Sequence, residues 1–387
     1  MKIFILTSRF PYPTEKGDKL RIYHQIRELS QRHQIFLCSL TEFPIESQYR
    51  QELEQYCEQL LIFNISKRQI ISGLLAAIFS GLPFQVAYFK NASIARQIDQ
   101  AIEAAQPDWL FAQLIRTSEY LRKRNEKKYI DYMDAFSEIA RKMADKAPWY
   151  SKWLWRWEFR KLQAYETAIY QDFDRHSLIS PRDLKQMEIP QGEVGIIPNG
   201  VDYEFFSAKK SIHRNYELVF VGNMGYTPNV DAVQFIVKSI MPLVWEKRPT
   251  CKLLIAGARP SAEVQALEGP NVSVSGWIED IRDAYGSAKI FLAPIFLGAG
   301  QQNKILEAMS SGLPCLTTEN VNLGIGGKAD ENLVIAQTAV DFAEKVDQLL
   351  KNEQLRTEIA ENAKSFVRTN FSWSNNVEKI EQLIQPT

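Results

Sequence analysis

The chain is poor in the residues that build metal sites and disulfide frameworks, with four cysteines and four histidines in 387 residues. Cys38, Cys57, Cys251 and Cys315 are scattered, which excludes a disulfide-stapled scaffold and a cysteine-rich metal centre. Cys38, Cys251 and Cys315 fall in or beside strand-like apolar runs, as free buried thiols do in a reducing compartment. No two histidines have metal-ligand spacing. His24 lies in the first helical pattern, where it either reaches a ligand or packs against a neighbour; His33, His176 and His213 have no partner pattern. Net charge is also missing. The 46 basic and 46 acidic side chains cancel, so nothing draws the chain as a whole to nucleic acid. No secretory leader is expected, because residues 1–6 enter a strand directly and Arg9 and Pro11 then break the apolar run. Nor is there a long hydrophobic run. The one membrane-like stretch, residues 70–84, is short and is interrupted by Gly81 and Pro83. It reads as a buried helix of the first domain, as an interfacial helix helped by Lys67 and Arg68, or as a span. A cytoplasmic protein is expected, with peripheral contact at the inner membrane surface if that stretch meets lipid.

What is present describes a globular chain. Hydrophobic residues make up 45% and charged residues 24%, enough for sizeable cores, and the length suits two domains. Strand-like and helix-like patterns alternate through the first half: strands at 3–7, 35–40, 60–65, 109–112 and 129–133, helices at 17–32 and 137–170, then short strands at 177–180 and 194–197. After a Pro198-Asn199-Gly200-Val201-Asp202 turn, the polar segment 207–216 reads as a linker. The alternation then restarts: strands at 218–221, 252–256, 272–275, 290–293, 315–317 and 333–335, with helices at 231–245, 280–287 and after Gln302. Residues 341–384 are mostly amphipathic helix with a break near 370–373. Repeated strand–helix–strand order predicts an α/β fold with two doubly wound Rossmann-like domains. The expected boundaries are 1–205, 206–370, and a final helix at 371–387 packing back on the first domain. Ligands of such sheets sit beyond the carboxyl ends of the strands, which predicts a cleft between the domains.

The strongest local signal is the run Gly298-Ala299-Gly300-Gln301-Gln302-Asn303-Lys304-Ile305-Leu306-Glu307-Ala308-Met309. It follows a strand and opens a helix, so backbone N–H groups and the helix dipole face an anion. Lys304 and Glu307, three residues apart, share one helix face. The pair suits a nucleotide-linked sugar, the ammonium near diphosphate and the carboxylate accepting from ribose hydroxyls; the competing reading is a surface salt bridge. Asp172-Phe173-Asp174 has the form of a metal–nucleotide motif but lacks the loop around it, and reads as a solvated helix end. Asp131 and Asp134 end a first-domain strand, where Asp134 either meets acceptor or orients the next helix start. Trp153, Trp155 and Trp157, with Arg156, Arg160 and Lys161, either pack a long helix or face a membrane surface. The basic run 121–128 lacks interleaved aromatics and reads as a solvated helix end.

The pattern Gly300-x-x-Asn303-Lys304-x-x-Glu307-Ala308-Met309-x-x-Gly312-x-Pro314 resembles the donor motif of family 4 glycosyltransferases, retaining enzymes of GT-B architecture. Arg9-Phe10-Pro11-Tyr12-Pro13-x-x-x-Gly17-Asp18-Lys19-x-Arg21 is similar to the opening of sugar transferases of PEP-CTERM-type exopolysaccharide systems. So are Val221-Gly222-Asn223-Met224-x-Tyr226-x-Pro228-Asn229-x-Asp231-Ala232, Pro198 to Asp202, and the segment 155–166. The resemblance implies that Glu307 binds the donor ribose and Lys304 the diphosphate, the pair on which catalysis rests. It implies that Gly298, Gly300 and the N–H groups of Gln301, Gln302 and Asn303 approach phosphate and sugar. Gly222 and Asn223 form the facing loop, Gly276, Trp277 and Ile278 face the base, and Gly17 permits close approach from the first domain. No cofactor or metal is implied.

The chain departs from that pattern in three places. Ala299 stands where many members have a glutamate that addresses the transferred sugar, leaving Gln301 and Gln302 for that task. Asn223, Met224 and Asn229 occupy a loop that elsewhere carries an arginine and a lysine. The usual histidine after the fourth strand is absent, and Arg116 is the nearest charged candidate. The expected function is retaining transfer of a sugar from a nucleotide sugar to a glycan or lipid-linked acceptor, in exopolysaccharide or cell-surface glycan synthesis. A nucleotide-sugar epimerase or phosphorylase-like enzyme of the same architecture and a catalytically silent nucleotide-sugar-binding scaffold are the alternatives.

Overall fold

The computed structural model describes residues 1–190, 192–208, 214–296 and 301–385. Among the chain's segments, Met1–Pro198 with Trp373–Thr387 forms one compact unit and Asn199–Ser372 the other. His213, Gly298, Ala299 and Gly300 lie outside the described residues.

The first unit is built on β1 (Lys2–Thr7), β2 (Gln34–Thr41), β3 (Gln59–Asn64), β4 (Trp109–Gln113), β5 (Lys127–Met133), β6 (Arg175–Leu178) and β7 (Val194–Ile196). They form one parallel sheet in the order β3-β2-β1-β4-β5-β6-β7. Both faces are covered, so the central strands are apolar without alternation. Phe4, Leu6, Leu110 and Ala112 enter the core on one side. Ile3, Ile5, Trp109 and Phe111 enter the core on the other. The second unit repeats the plan with β8 (Leu218–Val221), β9 (Leu253–Ala256), β10 (Val272–Gly276), β11 (Ile290–Ala293), β12 (Cys315–Thr317) and β13 (Val334–Ile335). Its order is β10-β9-β8-β11-β12-β13, again parallel. In each sheet the winding reverses once, between β1 and β4 and between β8 and β11. Such switch points open a crevice beyond the strand carboxyl ends.

Several helices differ from the sequence reading. The expected helix over 137–170 is two, Phe136–Lys146 and Trp149–Tyr170, lying against each other. Pro148 is the cause: it lacks an N–H and forces Ala147 into extended backbone. The expected helix over 231–245 begins at Thr227 and carries a π-helical turn, Ile236–Ile240, just before Pro242. The apolar stretch 70–84 is not a buried helix. It forms the helix Lys67–Ser80, capped by Ser66 and stopped by Gly81 in left-handed backbone. Only Ile70 and Ala77 of that helix are buried, and Phe79 is 91% exposed. No helix among the described residues is long and apolar enough to cross a membrane.

Inside the first unit, helix Gly17–Leu29 is tied to the sheet by a fully buried ion pair. Arg21 Nε and Nη2 donate to the Asp131 carboxylate at 2.6 and 3.1 Å. Gln25 Nε2 and Ser177 Oγ also donate to it, at 3.1 and 3.0 Å. Asp131 is therefore a structural anchor joining that helix to β5 and β6. The final helix, Trp373–Ile384, buries Val377, Ile380 and Ile384 in the same core. His33, expected to lack a partner, meets Glu381 of that helix at 2.8 Å, where Arg32 Nε also donates. All four cysteines are free.

Removing one member of a buried, hydrogen-bonded ion pair strands the other charge, so Arg21→Met is expected to destabilise by about 3–5 kcal/mol. Combining it with Asp131→Leu should recover part of that loss, measured as the urea midpoint of the intact chain. A double-variant loss equal to the sum of the two single-variant losses would refute the anchoring role.

Candidate functional site

In the second unit three neighbouring strands end on glycine. Gly222 follows β8, Gly257 follows β9, and Gly276 ends β10 after a register shift. Gly222 N donates to Ala256 O and Gly257 N to Gly276 O, both at 3.0 Å, which draws the strand ends together. Gly257 has φ +137°, and a Cβ there would fall 1.8 Å from the Gly222 carbonyl oxygen. A side chain at Gly222 would meet Asn229 Nδ2 at 2.7 Å and Lys304 Nζ at 3.3 Å. The glycines thus let backbone and Lys304 crowd into one place at the switch point.

The loop after β8 folds on its own side chains. Asn223 Oδ1 accepts from Gly225 N, and Asn223 O accepts from Asn229 Nδ2, both at 2.9 Å. The amide orientation this sets leaves Asn229 Oδ1 to accept from Lys304 Nζ. Asn229 is buried and belongs to helix Thr227–Phe235. It stands between the glycine loop and helix Asn303–Ser310, fixing where the ammonium points. Lys304 also lies over the Phe220 ring, 5.2 Å from its centroid. Burial lowers the Lys304 pKa to about 8, against a smaller opposing pull from Glu307. One turn on, burial raises the Glu307 pKa, opposed by the Tyr285 hydroxyl and by Lys304. Tyr285 OH donates to Glu307 Oε2 at 2.8 Å. Both groups keep part of their surface open, so a poorly solvated cation and a carboxylate are presented from one helix side.

The remaining expected residues distribute as follows. Helix Asn303–Ser310 has no side-chain cap from Gln302, and Ile305 N donates to Gln302 O at 3.0 Å. Asn303 Oδ1 is buried with no hydrogen-bond partner among the described residues. The Gln301 side chain is taken up by the Asn199 backbone, donating to its carbonyl at 2.7 Å and accepting from its N–H at 2.9 Å. Of the two glutamines expected to read the sugar, Gln302 is the one without such an engagement. Gly276 has φ +68°, Trp277 beside it is 71% exposed, and Ile278 leans on the core. In the first unit Gly17, Arg116 and Asp134 line one cavity of about 250 Å³. A Cβ on Gly17 would press on Met133 Cε at 3.3 Å. Burial, then Asp183, raises the Asp134 pKa to about 6. His24 is not among that cavity's lining; it is buried and stacks on Trp373 at 4.7 Å.

Three participants were not singled out from the sequence: Gly257, Tyr285 and Asn229 as the partner of Lys304. Gly257 had a signal, a glycine directly after an apolar strand. Tyr285 had none, since it arrives from the separate helix Ile281–Gly286. A larger cavity of about 400 Å³ lies at the strand starts of the second unit. Its cations are largely neutralised, Arg282 by Asp280, Lys289 by Glu217 and Lys364 by Glu361, so the strand ends remain the candidate site. Among the described residues no group of three His, Cys, Asp or Glu side chains is placed to hold a metal ion.

Residues 215–352 match the family model described as Glycosyl transferases group 1. An uncharacterized 44.6 kDa protein in the cps region of Klebsiella pneumoniae is 25% identical over 394 residues, covering 96% of each chain. Sucrose-phosphate synthase from Thermosynechococcus elongatus superposes with a TM-score of 0.71 at 13% identity, over 99% of this chain and 98% of that one. HepE of Anabaena in complex with UDP gives 0.70 at 13% identity, over 99% of both. TarM gives 0.72 at 12% identity, over 100% and 99%. The fold is GT-B, and the stretch that matches the glycosyl transferases group 1 model lies within its second unit.

Proposed function

We propose that the chain is a retaining glycosyltransferase that moves a sugar from a nucleoside diphosphate donor to a glycan or lipid-linked acceptor in polysaccharide synthesis. The observation that carries this reading is the Gly222–Asn229–Lys304 contact at the β8/β11 switch point, with Glu307 one turn deeper. Lys304 and the backbone N–H groups at the start of helix Asn303–Ser310 receive the diphosphate, and Glu307 accepts from the ribose hydroxyls. Trp277 and Ile278 flank the base. Support also comes from HepE, whose structures hold UDP and UDP-glucose, and from the cps-region relative.

In this reading the bond between the anomeric carbon and the diphosphate oxygen breaks as the acceptor oxygen bonds to the same face of the sugar. The acceptor proton passes to the departing diphosphate. The protein supplies fixed positive charge where negative charge develops, and Lys304 with backbone N–H groups takes the place of a metal ion. A thermal-shift screen of nucleotide sugars identifies the donor, since a ligand of the native state raises apparent stability. Product analysis with and without an acceptor then separates transfer from epimerisation and from silent binding. Donor binding with no turnover for any acceptor would leave only the scaffold.

Lys304→Ala removes a charge-assisted hydrogen bond and should weaken UDP binding about 10–100-fold by calorimetry. Glu307→Gln should weaken UDP and spare inorganic pyrophosphate; equal losses for both would contradict the ribose assignment. The pH dependence has a defined sign. In the free protein Lys304 loses its proton near pH 8, while the diphosphate favours the ammonium. UDP affinity should therefore fall as pH rises through 8, and Lys304→Gln should flatten the profile.

A further inference from the structure

The Glu307 carboxylate uses its two oxygens differently. Oε2 accepts from Tyr285 OH at 2.8 Å. Oε1 accepts from no side chain among the described residues, and Glu307 keeps part of its surface open. An ionised carboxylate oxygen offers about two acceptor sites, so Oε1 alone can take two vicinal hydroxyls. Lys304, one turn back, does not hold the carboxylate. Its Nζ donates to Asn229 Oδ1 and lies over the Phe220 ring, and it forms no ion pair with Glu307 among the described residues. The side chain that orients Glu307 is therefore Tyr285.

Tyr285 is itself fixed. It is fully buried, with the Phe206 and Phe291 rings 6.0 and 5.7 Å from its own. It comes from helix Ile281–Gly286, whose start is held by the Asp280 carboxylate accepting from Arg282 N at 3.0 Å. Arg282 Nε and Nη2 donate to the same carboxylate at 2.9 and 2.6 Å. The phenol is thus locked at both its base and its ring. An ionised carboxylate cannot donate, so the phenol proton serves Oε2; its other contact, Lys304 O at 3.4 Å, is longer. Phenylalanine would fill the same space between the rings, and what the hydroxyl adds is the bond to Glu307. Burial raises the Glu307 pKa, and the Tyr285 bond opposes that more strongly than the Lys304 charge does. Tyr285 both holds the carboxylate in one orientation and favours its ionised form.

We propose that Tyr285 is a positioning residue for donor recognition: by occupying Glu307 Oε2 it aims Oε1 at the ribose hydroxyls and sets a preference for ribonucleotides over 2′-deoxyribonucleotides. This rests on the transferase reading and assigns the ribose selectivity of its nucleotide subsite. The test is the calorimetric affinity of the full chain for UDP, 2′-deoxy-UDP and inorganic pyrophosphate. The wild type should prefer UDP to 2′-deoxy-UDP by about tenfold or more. Tyr285→Phe should lower that preference at least about threefold, with pyrophosphate binding within about twofold of the wild type as proof of an intact fold. The preference also carries a pH signature. Tyr285 and Lys304 are the groups that favour the ionised form of Glu307, so losing the hydroxyl raises its pKa further. As pH falls, Tyr285→Phe should lose its preference for UDP at a higher pH than the wild type. Replacing Tyr285 with 3-fluorotyrosine, a more acidic phenol of nearly the same shape, should move that midpoint to lower pH, and it decides the matter if the phenylalanine variant does not fold. An unchanged preference in Tyr285→Phe, an unmoved midpoint with 3-fluorotyrosine, or a wild type indifferent to the 2′-hydroxyl each overturns the positioning role. Failure of UDP to bind removes the transferase reading instead. Weaker UDP binding by Glu307→Gln with an unchanged preference in Tyr285→Phe would leave that reading standing and remove only this proposal.

Discussion

The candidate site depends on one close approach, the Gly222 carbonyl against the Cα of Gly257. No side chain fits between them, because a Cβ at Gly257 would lie 1.8 Å from that oxygen. With the strand ends this close, the loop after β8 can turn back through Asn223 and present Asn229. Asn229 then holds the Lys304 ammonium against the glycine floor. The lysine loses solvation, which lowers its pKa to about 8 while keeping its proton at neutral pH.

Much of this was legible in the sequence, and the reasons are physical. Parallel strands buried on both faces read as unbroken apolar runs, so β1, β8 and β11 announced themselves and the doubly wound order followed. Lys304 and Glu307 are three residues apart on one helix, a separation that sequence spacing resolves directly. Asn229, Tyr285 and Gly257 reach the same place from three other elements, and no local period encodes such convergence. Pro148 shows the opposite failure. Its helix-breaking chemistry was visible, yet the apolar and aromatic positions on either side read as continuous helix. Asp131 and Asp134, alike in sequence as carboxylates at one strand end, separate completely in the fold. Asp131 is consumed by Arg21, Gln25 and Ser177, and Asp134 faces a cavity.

The two units use the same sheet order toward different chemistry. At the switch point of the second, one lysine, one carboxylate and a helix start gather over a glycine floor. At that of the first, two arginines and aromatic rings gather beside exposed apolar helices. The stretch 70–84 makes the contrast concrete: its apolar residues are spent on the outside, where the first unit's core gains little from them.

Hydrogen–deuterium exchange of the intact chain with and without UDP tests the central claim most directly. Added UDP should slow exchange in the loop after Val221, at Gly257 and Ala258, and in the first turn of helix Asn303–Ser310, and Lys304→Ala should abolish that pattern. Protection confined to the strand-start cavity near Arg356 and Lys364, or no protection at saturating UDP, would contradict the account.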